Sequence, residues 1–195
     1  GLTFPIWLDP DGAALNALGQ PAERTFHYEN PDFLNALTGI TDEEGVRFAT
    51  YTYDVHGRAY RTEHASGSGP VAVYTLAFNP DGSSAVTDPL GTVRTFGHAL
   101  VANSIRGTGI SMPCDHCGVT NAKELTYDAN GNVASRTDFN DGKVCYAYDL
   151  ARNHETTRVG GLRAAEPCAT ALVAPPARPD VRKVTTAWHA TCRLP

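Results

Sequence analysis

Residues 50–58 read Thr-Tyr-Thr-Tyr-Asp-Val-His-Gly-Arg. An alternating aromatic run ends in Tyr53-Asp54, a glycine follows three positions after the aspartate, and Arg58 opens a new extended run. An aspartate side chain bonds to backbone N–H groups just ahead of it and so favours a turn. A glycine at the turn's end adopts positive φ without a Cβ penalty. The stretch therefore predicts strand, hairpin, strand.

The same spacing recurs along the chain. Tyr127-Asp128 with Gly131 matches at both ends, and Phe78-Asn79 with Gly82 keeps the aromatic, the Asx and the glycine. Leu8-Asp9 with Gly12 leads with an aliphatic residue, and Tyr148-Asp149 lacks the glycine. Between these lies a second set: Thr41-Asp42 with Gly45, Thr87-Asp88 with Gly91, and Thr137-Asp138 with Gly142. The chain reads as two turn types in alternation, joined by strands of about 5–7 residues.

Side-chain alternation supports this pattern. In 46–53, Val46, Phe48, Thr50 and Thr52 oppose Arg47, Ala49, Tyr51 and Tyr53. In 143–148, Val144, Tyr146 and Tyr148 oppose Cys145 and Ala147. The strand over 71–78 is apolar on both faces, which predicts burial between two layers. Helical periodicity is confined to 12–18 and 163–173, the latter interrupted by Pro167. Residues 97–122 and 160–180 break the rhythm and read as loops or insertions in one continuous segment, 1–195.

The 195 residues are 42% hydrophobic and 19% charged, with a net charge of −5. That composition fits a folded chain, and no run approaches the about 18 apolar residues of a membrane-spanning helix. The 16 Lys and Arg residues are scattered, without the basic stripe that phosphate contacts require, so nucleic acid is not an expected partner. The first residue is Gly1 and no signal segment follows, which reads as a piece of something longer.

The repeated Tyr53-Asp54-x-x-Gly57-Arg58 and Tyr127-Asp128-x-x-Gly131-Asn132 resemble the YD repeats of bacterial Rhs proteins, which also occur in Tc-type toxin shells and teneurins. Thr87-Asp88-Pro89-Leu90-Gly91, Thr137-Asp138, Tyr146-Ala147-Tyr148-Asp149 and the terminal 186–195 fit the intervening parts. The resemblance covers about 24–195. It implies an all-β fold: antiparallel strand-turn-strand repeats in a curved sheet, a segment of a spiralling shell. It also implies a non-enzymatic role, enclosing or presenting a C-terminal toxin, with the rest of the parent chain, that cargo and a secretion apparatus as partners. The expected location is secreted or cell-surface. Its architecture rests on Tyr53, Asp54, Gly57, Arg58, Phe78, Asn79, Gly82, Asp88, Gly91, Tyr127, Asp128, Gly131, Tyr148 and Asp149. Asp88-Pro89-Leu90-Gly91 is superficially similar to the family's self-cleavage core. The Gly-Gly and aromatic residues expected downstream are missing, so it reads as a turn. The alternative is a carbohydrate-binding or adhesion module using exposed aromatic rings.

One chemical motif stands apart. Cys114-Asp115-His116-Cys117 places two sulfurs and an imidazole together. It reads as a plain loop with free thiols or a local disulfide, as a clasp for zinc, or as a redox pair. A structural zinc site needs four ligands, and no second such pair exists; Cys145, Cys168 or His98 would have to arrive through folding. The histidines lack the spacing of a zinc protease, and no Gly-x-Ser-x-Gly elbow occurs. No catalytic residue is assigned.

Overall fold

The computed structural model describes residues 22–66, 69–114 and 121–192, together with 7–8, 14–15 and 19. Fifteen strands and one short helix make up the described elements, and the strand pairings among the described residues are antiparallel. The fold is all-β, as the alternation implied. The chain divides into two compact units: Gly1–Ala77 with Val86–Val93, and Phe78–Ala85 with Arg94–Pro195.

In the first unit, β1 (Trp7–Leu8) pairs with β2 (Ala14–Leu15), where the sequence suggested a helix over 12–18; the rest of that stretch lies outside the described residues. Then β3 (Thr25–His27), β4 (Gly39–Thr41), β5 (Arg47–Tyr53), β6 (Ala59–Ser66) and β7 (Gly69–Phe78) pair in chain order as a meander. Apart from the longer link over 28–38 between β3 and β4, each is joined to the next by a short connection, so contacts are local in sequence. The short strand β8 (Ser84–Thr87) falls across the division.

Among the described residues of this unit only Gly39 and Ala49 are buried. The prediction of a doubly covered strand over 71–78 fails here: Val71 is 47% exposed and Tyr74 41%. Its alternation is also broken. Ala72 has φ of 48°, and the β6–β7 register slips between Thr62 and His64, so an extra residue bulges from β7. A run of apolar residues marks strand propensity, but burial depends on what lies above each face.

In the second unit, β9 (Val93–Val101) and β10 (Ser104–Ile110) form a hairpin through Ala102 and Asn103, both at positive φ (47° and 61°). This two-residue turn is of the kind that matches strand twist. It occupies much of 97–122, which the sequence marked as a loop. Next, β11 (Glu124–Tyr127), β12 (Val133–Thr137), β13 (Gly142–Asp149), β14 (His154–Arg163) and β15 (Arg182–Thr185) make a five-stranded sheet in chain order. Between β14 and β15 runs α1 (Cys168–Val173), with Pro167 at its N-cap position. The 160–180 stretch is thus the end of a strand, a helix and a return, not a plain loop. Proline suits a helix start because the first N–H groups lack intrahelical acceptors.

The core belongs to this second unit. Cys145, Val159, Leu162 and Ala171 are buried, and Cys168, Leu172 and Val181 pack against them. Val159 and Leu162 are three residues apart, so strict alternation would place them on opposite faces. A register shift between Lys143 and Cys145 opposite Gly160-Gly161 turns both inward. Gly161 has φ of 75°, and a Cβ there would collide with the carbonyl of Asp180, so glycine also admits the returning chain. Burying Leu or Val contributes about 1.5–3 kcal/mol each.

Candidate functional site

The aspartate turns are the feature that repeats. The Asp54 N–H donates to Arg58 O at 2.9 Å, and the Gly57 N–H donates back to Asp54 O at 3.0 Å. Asp54 Oδ1 then accepts the N–H of His56 at 2.9 Å and of Arg58 at 3.0 Å. The same four bonds form at Asp128, with Asn132, Gly131 and Asn130. They form again at Asp42, Asp88 and Asp138. The two turn types seen in sequence are therefore one turn. The residue before the aspartate, Tyr or Thr, does not enter the four bonds.

The third residue after the aspartate carries positive φ at each of these turns: Gly45 76°, Gly57 74°, Gly91 80° and Gly131 82°. At the Asp138 turn that place falls to Asp141, with φ of 61°, and not to the glycine identified from sequence, Gly142. Asx residues tolerate this conformation better than other side chains do. Asn79 follows the backbone pattern with Ser83 and Gly82, but its amide is a donor: Nδ2 bonds Ser83 Oγ at 2.8 Å, and Asp81 Oδ1 takes the Ser83 N–H instead. Asp149 keeps part of the pattern, bonding the N–H of Ala151 at 3.0 Å, with Asn153 at φ of 55° where no glycine is present.

These bonds set the acidity of the carboxylates. The backbone N–H of Arg58 leads in holding Asp54 down to about 2, with the Arg58 guanidinium reinforcing it at 2.8 Å. At Asp128 burial pushes upward, but the amides of Asn132 and the surrounding N–H groups outweigh it and the carboxyl is lowered.

The tyrosines have a role that sequence reading missed. Tyr53 Oη donates to Leu37 O at 2.7 Å, and Tyr127 Oη donates to Gly107 O at 2.6 Å. Each repeat tyrosine thus ties its strand end to a backbone carbonyl in the segment before. Tyr148, by contrast, sits where burial pushes its phenol up to about 12. No local pattern reveals such ties, because the partner lies 16 or 20 residues away. At the chain's far end Trp188 stacks on His154 at 4.5 Å and donates to Glu155 O at 2.7 Å. His189 beside it is exposed and accepts the N–H of Cys192 through Nδ1 at 3.1 Å.

Of the metal candidates, His116 and Cys117 lie outside the described residues. Cys114 is disulfide-bonded, a state that excludes a thiolate ligand at the same sulfur. Cys145 and Cys168, considered as further ligands, are bonded to each other and join β13 to α1. Cys192 is exposed and free. Among the described residues no group of three or more His, Cys, Asp or Glu side chains is placed to hold a metal ion. Asp88 and Pro89 line a depression of about 480 Å³ with Pro70, Val71 and Gly91. Asp88 Oδ1 there is occupied by the N–H groups of Leu90 and Thr92, which is turn chemistry. No described helix is long and apolar enough to cross a membrane.

The fold and turns define the class: an all-β chain of antiparallel hairpins with a recurrent aspartate turn. Neither a protein-family model nor a curated protein sequence matches it. Among solved structures, a chain of the crystal structure of TcdB2-TccC3-TEV is 13% identical with a TM-score of 0.30, the match covering 80% of this chain and 10% of that one. The present chain thus spans about a tenth of that chain's length.

Proposed function

We propose that this chain is a section of an Rhs-type YD-repeat wall that encloses or presents a C-terminal toxin for delivery to competing cells. One observation carries the reading: the same four-bond aspartate turn forms at both kinds of motif that make up the resemblance. The repeat is thereby an architectural device, and its aspartates are spent on backbone N–H groups and not on a substrate. Sparse burial in the first unit agrees with a sheet that gains cover from further chain or cargo. The role is sequestration, and no residue is assigned a catalytic step. The Cys145–Cys168 bridge favours an oxidising compartment, in keeping with a secreted or surface location. The partners are the remainder of the parent chain, its cargo and a secretion apparatus.

The test is the product of the complete open reading frame that encodes this sequence. Cryo-electron microscopy is expected to show further aspartate hairpins continuing the sheet around a C-terminal domain that resists protease. A reading frame without further repeats, or a C-terminal domain digested as fast as the free domain, overturns the proposal.

A second reading, glycan binding, is favoured by one alignment. Tyr51, Thr62 and Tyr74 pair in register across three strands, and Tyr60 and Tyr74 remain 38% and 41% exposed. Such rings stack on sugars. Quenching of tyrosine fluorescence on titration with bacterial surface glycans supports it, and an unchanged signal with all of them removes it.

A further inference from the structure

The Asp128 turn and the Asp149 turn are joined by side-chain amides. Asn130 Nδ2 donates to Leu150 O at 2.7 Å and to Asn153 Oδ1 at 2.8 Å. Asn132 Nδ2 donates to the same Asn153 oxygen at 3.0 Å and to Asp128 Oδ2 at 2.9 Å. Asn153 is the hub, accepting both amides while its backbone holds positive φ. Asn130 is followed by Gly131. An asparagine before glycine is chemically prone to lose ammonia, because no Cβ obstructs attack of the glycine nitrogen on the asparagine Cγ.

We propose that Asn130 is a modification site: a deamidation centre kept silent by the amide clamp, whose conversion releases the two turns from each other. In the step, solvent base removes the Gly131 N–H proton and the nitrogen attacks Asn130 Cγ. The N–Cγ bond forms, the Cγ–Nδ2 bond breaks, and the amide nitrogen leaves as ammonia after taking a proton. Water then opens the succinimide to aspartate or isoaspartate. Water is the only co-reactant and nothing is oxidised or reduced.

Three features oppose this reaction in the intact turn. The Gly131 N–H is held by Asp128 O at 3.1 Å. The Asn130 amide is pinned by its two acceptors and must rotate away from both. The Asp128 carboxylate, accepting the N–H groups of Asn130 and Asn132, opposes negative charge on the adjoining peptide. Asn130 is nevertheless exposed, so water and base reach it whenever the clamp opens. Once formed, the carboxylate faces the Leu150 carbonyl, which has no proton to give, and it keeps Asn153 only if that amide turns and gives up its bond from Asn132.

The experiment follows deamidation by peptide mapping at mildly alkaline pH in the folded chain, in a synthetic peptide of residues 125–136, and in two variants. Asn153→Gly removes the amide while keeping the positive φ; Asn153→Asp keeps the acceptor. The folded chain is expected to react about tenfold or more slowly than the peptide, the effect of one to two hydrogen bonds. Asn153→Gly is expected to recover several-fold of that difference, Asn153→Asp none. Asn103, exposed and followed by Ser104, serves as the internal control that neither variant alters. A folded chain reacting at the peptide's rate overturns the proposal, as does an unaltered rate in Asn153→Gly. Hydrogen exchange in Asn130→Asp provides the second measurement. The amides of Ala151 and Arg152 are expected to exchange faster, and unchanged exchange refutes release of the turns.

Discussion

Reduction of the Cys145–Cys168 bridge offers the most direct test of how the second unit is stabilised. The two residues are 23 apart, and closing a loop of that size removes chain entropy from the unfolded state worth about 3.4 kcal/mol. Comparing oxidised and reduced forms of one sequence, in a Cys114→Ser background so that the Cys114 bridge does not contribute, avoids the packing loss that replacing Cys145, fully buried, adds. With a urea slope of about 2 kcal/mol per molar, the midpoint of the second unit is expected to fall by about 1.7 M on reduction. Trp188 reports it by fluorescence in a Trp7→Phe background, since its ring lies on His154 at the edge of this sheet. Hydrogen exchange locates the change: the amides of Ala171 and Ala174, bonded to Pro167 O and Thr170 O in α1, lose protection before those of β13. The bridge ties α1, a single turn and a half with no side-chain cap, to β13 at its first residue, and Lys183 Nζ donates to Leu172 O and Val173 O at its other end. A midpoint that moves by less than about 0.5 M refutes the reasoning and assigns the helix's position to the packing of Leu172 and Val181 and to the Lys183 bonds.

Gly57→Ala and Gly91→Ala share a backbone penalty, with φ of 74° and 80°, but an added Cβ lies 2.9 Å from Phe33 Cε1 only at Gly57. Both are expected to destabilise by about 1 kcal/mol or more, Gly57→Ala the more strongly; equal losses in thermal melts refute the contact. Tyr127→Phe removes the bond to Gly107 O and is expected to cost about 1 kcal/mol in urea unfolding; no change shows that the hydroxyl is better served by water. Asp54 and Glu166 both sit at about 2, Asp54 through the Arg58 N–H first and Glu166 through the Arg178 side chain first. Their folded values lie below the ordinary 3.8 and 4.5, so the stabilisation is present above those values and is lost as pH falls toward 2. Carboxyl carbon NMR titrations with midpoints at the ordinary values refute it.

The hairpins were legible because their chemistry is local. An aspartate that bonds N–H groups two and four residues ahead, with a left-handed residue three ahead, is written within five positions. What looked like two motifs differed only at the preceding residue, which the turn does not use. Asp141 was missed because Gly142, one place on, is the more obvious candidate. The Ala102-Asn103 turn was missed for the same reason: positive φ there is carried by residues with side chains. The tyrosine ties, the Arg178–Glu166 pair at 2.5 Å, and the Cys145–Cys168 bridge join positions that no periodicity relates. Exposure was the hardest property to read. Valine and tyrosine over 71–78 signal a strand equally well whether a second layer covers them or not.

The same turn serves two units of very different interior, and that separates what the repeat specifies from what stabilises it. Turn chemistry fixes where each strand reverses and in which register it returns. It leaves open what covers the faces. The second unit supplies its own cover, with α1 and the segment to Val181 laid over Cys145, Val159 and Leu162. The first unit makes the same turns at Asp42, Asp54 and Asp88 with Gly39 and Ala49 alone buried among its described residues. A single hairpin is marginal in water, and stacking alone buries only one set of edges. The repeat is therefore a rule for adding strands, and stability has to be added separately at each stretch. In the second unit this is done by a helix and a disulfide, two features that lie outside the repeat: the helical periodicity over 163–173 pointed to the first, starting after Pro167, and nothing in the rhythm pointed to the second.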